Sequence, residues 1–87
     1  MNAVITVIGK DRVGILAATT AELAKANANI LEVSQSILDD YFTMMMVVEI
    51  DDMNISLEEL QDVLDKNVSK VKILVMHEDI FNAMHTI

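Results

Sequence analysis

Eighty-seven residues, 53% of them hydrophobic, make one small domain rather than a disordered chain. Six Lys+Arg against 14 Asp+Glu leave a formal net charge of −8, which excludes the basic, phosphate-neutralising surface of a nucleic-acid binder. The absence of cysteine excludes disulfides, thiolate metal sites, iron–sulfur ligation and a cysteine nucleophile.

The first element is Ala3 to Ile8, β-branched on both parities and closed by Gly9. Apolar residues on both faces predict a central strand buried from both sides. Val13, Leu16, Ala17, Thr20, Leu23 and Ala24 then recur at helical spacing, with Asp11 as N-cap and Asn27 in the left-handed position that closes a helix. Ile30 to Leu38 and Tyr41 to Ile50 read as two strands joined at the acidic turn Asp39-Asp40. The former carries Ser34, Gln35 and Ser36 in its middle, which suits a strand with water or a partner against it. Ser56 and Glu59 form a capping box, with Ile55 and Leu60 as its hydrophobic staple, so a helix starts there and turns Leu57, Leu60, Val63 and Leu64 inward. Val71 to Met76 is the fourth strand, and Ile80, Phe81, Met84 and Ile87 have the spacing of a short C-terminal helix.

The order β-α-β-β-α-β predicts an α+β, ferredoxin-like sandwich: a four-stranded antiparallel sheet with two helices on one face. Residues 1–77 form this unit, and 78–87 are a helical tail that packs on the same domain or on a second protomer. Strands apolar on both faces need cover on the helix-free side, and tail and second protomer are the two candidates. No apolar run approaches the ~20 residues of a membrane helix, and no basic region precedes the N-terminal apolar stretch, so the expectation is a cytoplasmic protein away from membranes.

Gly9-Lys10-Asp11-Arg12-Val13-Gly14-Ile15-Leu16 holds both glycines of the chain and leads a buried strand into a helix. Unpaired amides and the dipole at a helix start favour carboxylates, Lys10 and Arg12 add positive charge, and Asp11 can accept from an ammonium group. The combination suits a zwitterion. Glycine and an aspartate cap are equally what a strand-to-helix turn wants with no ligand present.

The run Gly-x-Asp-Arg-x-Gly-Ile-Leu, followed by Leu23-Ala24 and Asn29-Ile30, resembles the ACT domain, a small regulatory module of the same element order, over residues 2–77. The resemblance is to stand-alone bacterial and archaeal members similar to the ACT modules of glycine-cleavage-type regulators. It implies a homodimer that binds an amino acid at the first loop, with the start of the second strand contributed by the neighbour. Carried over, these residues are Asp11, Arg12, Val13, Gly14, Asn29 and Ile30. Val13 stands where the family often has Pro, Asn27 where it usually has Gly, and Gly9 where some amino-acid-sensing members have a polar side chain.

Other constellations point less far. Strand alternation sends the middle sulfur of Met44-Met45-Met46 to the opposite face, so a soft-metal site is not expected there. His77 and His85 follow no metal-ligand spacing, and Asp39-Asp40 and Asp51-Asp52 lack the ordered oxygens of a calcium loop. RNA recognition on this fold needs exposed aromatics, and metal carriage needs Cys-x-x-Cys. With no cofactor or catalytic set indicated, the expected function is a non-enzymatic amino-acid-binding module that regulates a protein partner. The alternatives are a ligand-free dimerisation module and an acylphosphatase-type enzyme, for which Arg12 is the sole arginine.

Overall fold

The computed structural model describes residues 1–10 and 12–84. Its elements are β1 (Asn2–Gly9), α1 (Arg12–Lys25), β2 (Asn29–Leu38), β3 (Tyr41–Glu49), α2 (Leu57–Asn67), β4 (Val71–His77) and α3 (Glu78–Met84). The sheet runs β2-β3-β1-β4, antiparallel throughout, as expected for the ferredoxin-like sandwich. Asp11, the expected N-cap, and the tail residues His85 to Ile87 lie outside the described residues.

The core lies between one sheet face and the α1/α2 layer. Ala3, Ile5 and Val7 of β1, Phe42, Met44, Met46 and Val48 of β3, and Ile73 of β4 meet Ile15, Leu23, Leu60 and Leu64 of the helices. Leu23, Leu60 and Leu64 are each 0% exposed. Burial of such a side chain contributes about 1.5–3 kcal/mol. Val4 of β1 is buried on the other face, whereas Ile8 remains partly exposed, so β1 is covered on both sides only along part of its length. The cover there is α3, which packs against β1 and β4 of its own chain.

The inward face of α1 differs from the expected one. Ile15, Thr19, Glu22 and Leu23 are buried, while Val13 is 78% exposed and Ala17 and Ala24 face outward. The helix contains Ala17, Ala18, Ala21 and Ala24, small side chains that fit either side, so counting apolar positions does not set its rotation. The large side chains Ile15 and Leu23 set it instead. The cost is a buried Thr19 hydroxyl without a hydrogen-bond partner.

Two local signals behave as the residues indicate. The Ser56 hydroxyl accepts from the Glu59 N–H at 3.1 Å and the Glu59 carboxylate accepts from the Ser56 N–H at 3.3 Å, completing the capping box. Asn27 adopts φ 60°, the left-handed conformation. Its side chain adds what glycine lacks: Nδ2 donates to the Asp52 carbonyl at 2.9 Å, while Asn54 Nδ2 donates to the Lys25 carbonyl at 2.9 Å. These bonds tie the end of α1 to the β3–α2 connection.

The sheet has two edges, β2 and β4, and only one is open. Gln61 of α2 donates from Nε2 to the Ile73 carbonyl at 2.9 Å and accepts the Val75 N–H at Oε1 at 2.7 Å. Its amide thus takes the place of a neighbouring strand and blocks the β4 edge. Gln61→Leu should lower stability by about 1–3 kcal/mol in urea unfolding, because two part-buried backbone groups lose their partner. The variant should also form larger species with rising concentration, read by light scattering.

Candidate functional site

The loop after β1 lies at one end of the sheet. Gly9 pairs with Phe42 of β3, and Phe42 with Ile37 of β2, so these three residues stand side by side across the strands. Gly9 is buried, and a Cβ added there would stand 2.5 Å from Ile15 Cδ1 and 2.7 Å from Val71 Cγ1. A larger residue there would have to displace the Ile15 and Val71 side chains.

Lys10 follows, with its Nζ 5.3 Å from the centre of the Tyr41 ring, within reach of a cation–π attraction. Tyr41 opens β3 immediately after the Asp39-Asp40 turn, where Asp39 has φ 54°. The loop and the tip of the β2–β3 hairpin are thereby joined. Arg12 is the first residue of α1, and its side chain, like Asp11, lies outside what is described. Val13 and Gly14 complete the exposed first turn, which carries no acidic residue.

Beside this end of the sheet is a cavity of about 260 Å³ lined by Gln35, Ser36, Ile37 and Phe42. Phe42 belongs to the core, and Ile37 is 64% exposed. In the sequence Ser34, Gln35 and Ser36 stand out as a polar interruption of β2, with nothing local to join them to the loop. The link is the ladder from Ile37 through Phe42 to Gly9, which no local pattern records. A larger concavity, about 290 Å³, lies between α2 and β4, but Gln61 in its lining has its amide bonded to the strand.

Asn29 and Ile30 do not join the loop within one chain. They pair with Glu49 and Val48, next to Asn2 and Ala3, at the opposite end of the sheet. Ten residues of β2 separate the two ends, about 30 Å of extended chain. Asn29 is exposed, and Ile30 is half-buried beside a register shift at Leu31.

Among the described residues, no group of three or more His, Asp or Glu converges as a metal site. The His77 Nδ1 accepts the Asp79 N–H at 3.1 Å, and His85 lies outside the described residues. No described helix is long and apolar enough to cross a membrane.

Comparison with known proteins places this geometry. The family model of the ACT domain matches residues 2–78. A UPF0237 protein of Clostridium perfringens is 46% identical over 89 residues, spanning 100% of both chains. The structure of an ACT domain protein from Streptococcus pneumoniae superposes with a TM-score of 0.74 at 38% identity, covering 98% of each chain. A protein described as a glycine cleavage system transcriptional repressor shares the fold, with a TM-score of 0.69 at 24% identity over 85% of this chain and 43% of its own.

Proposed function

This chain belongs to the ACT domain family, and on that premise we propose that it is a cytoplasmic regulatory module in which two copies pair along their β2 edges and bind an amino acid between them. Residues 1–77 form the binding unit, and α3 of the following tail covers part of the helix-free face of the sheet. Occupancy of a site shared by two copies changes the geometry of the pair, and a regulated protein partner reads that change.

The observation that carries the reading is the inequality of the two sheet edges. Gln61 occupies the β4 edge, whereas β2 is exposed from Leu31 through Ile37 and, among the described residues, has no strand on its outer side. Two β2 strands aligned antiparallel bring the start of one beside the end of the other. The partner subunit's Asn29 and the partner subunit's Ile30 then stand at the Ile37–Phe42–Gly9 end, beside the loop. The ligand carboxylate would sit at the N-terminus of α1, at Arg12 to Gly14. Asp11 and the partner's Asn29 would orient its ammonium group.

A thermal-shift screen of the twenty amino acids tests this. At ~10 mM, a ligand of millimolar dissociation constant stabilises the fold by ~1.4 kcal/mol, several degrees for a domain of this size. One or two amino acids should produce such a shift. Gly14→Ala should abolish it while leaving the pair intact and the unliganded melting temperature equal or higher, since Ala is the better helix former by up to about 1 kcal/mol. A flat screen would instead support a dimerisation module without ligand, a reading that the exposed Val33 and Ile37 on β2 favour.

A further inference from the structure

The helix-free face of the sheet holds a third cavity, on the opposite side from α1. By strand register, Val4 and Thr6 of β1, Met45 of β3, and Leu74 and Met76 of β4 share this face. Phe81 and Met84 of α3 close over them and leave a space of about 240 Å³. None of the described residues that line it is charged. Among the described residues that line it, the one side-chain hydroxyl is that of Thr6, and this hydroxyl makes no hydrogen bond to another described residue.

We infer that this cavity binds a small uncharged molecule, apolar except for one group that exchanges a hydrogen bond with the Thr6 hydroxyl. Size sets the first limit. An apolar cavity of about 150 Å³ takes up benzene, so this one holds roughly ten non-hydrogen atoms. Charge sets the second. An ion buried here without a partner loses its hydration for nothing, and α3 begins with Glu78 and Asp79 on a chain of net charge −8, which also disfavours anions.

The third limit is on the kind of occupant. Because α3 crosses the face and docks on β1 and β4, the sheet of a second copy cannot lie flat against it. What remains open is space for a small molecule. The lining suits one: Met45, Met76 and Met84 are unbranched thioethers that change rotamer at low cost. The roof is a seven-residue helix whose Ile80 and Met84 are 56% and 64% exposed, so it can shift outward without giving up much buried surface.

The seven methionines supply the assay. The full chain carrying 13C-methyl methionine would be titrated with benzyl alcohol and, separately, with toluene, and methyl resonances followed by NMR. Benzyl alcohol should shift Met45, Met76 and Met84 saturably and leave the core residues Met44 and Met46 in place. Thr6→Val should weaken benzyl alcohol about three- to tenfold, the range of one hydrogen bond, and leave toluene unchanged. Leu74→Trp, at a position 52% exposed, should fill the space and abolish both. Shifts that never saturate, that move Met44 and Met46 equally, or that survive Leu74→Trp would overturn the site. Equal weakening of both probes by Thr6→Val would overturn the assigned hydrogen bond. Each outcome is independent of the amino-acid screen, whose site lies on the other side of the sheet.

Discussion

Replacing Ile37 with aspartate should separate the proposed pair while leaving each copy folded. Ile37 is 64% exposed in the single chain, so the substitution removes little that the monomer uses. In a pair joined along β2 it is buried, and two-fold symmetry buries it twice. Full burial of an isoleucine contributes about 1.5–3 kcal/mol, and the carboxylate adds a desolvation cost at both copies. The dissociation constant should therefore rise at least about 100-fold, since each 1.4 kcal/mol is a factor of ten. Sedimentation equilibrium of the two proteins reads this directly. Ile80→Asp is the control, because Ile80 is 56% exposed but lies on α3, away from the β2 edge. Pairing that survives Ile37→Asp, or that is lost with Ile80→Asp instead, would place the interface elsewhere.

The second large effect concerns Gly9. A methyl group there meets Ile15 Cδ1 at 2.5 Å and Val71 Cγ1 at 2.7 Å, both closer than carbon atoms approach without displacement. Overpacking of this kind costs about 1–3 kcal/mol, so Gly9→Ala should melt roughly 5–20 °C lower. The mechanism has its own signature. Ile15→Val removes the Cδ1 atom in question, and in the double variant the two losses should fall short of their sum by about 0.5 kcal/mol or more. Strict additivity, or a Gly9→Ala protein as stable as the parent, would show that the backbone there relaxes freely. In that case the glycine would have to be explained by what the loop binds.

Much of the architecture was legible because its causes are local. Ser56 and Glu59 are three residues apart, and a capping box needs nothing else. Asn27 adopts φ 60° because asparagine tolerates that conformation better than residues other than glycine. The polar middle of β2 signals a strand with water or a partner against it for the same reason: side chains exposed along a strand need not be apolar. The match of the loop and of Asn29-Ile30 to the ACT pattern was likewise written in consecutive residues.

The candidate site was legible only in part. The loop offers its candidate residues in consecutive positions, but the amide of Gln61, the ring of Tyr41 beneath Lys10 and the cavity at Gln35 to Phe42 cannot be read there. Each depends on residues brought together from different elements: Gln61 meets β4 twelve and fourteen positions away. No periodicity encodes such a meeting.

Composition and local pattern determined that this chain is a small acidic βαββαβ domain, because strand alternation, helix caps and left-handed turns act within a few residues. Only the tertiary structure decided which face of the alanine-rich α1 turns inward, since the choice follows from where Ile15 and Leu23 find space. It also decided that Asn29 and the loop stand at opposite ends of one sheet, and that β2 rather than β4 is left open. Those outcomes follow from strand order and register, which arise when distant segments compete for the same hydrogen bonds and the same buried volume.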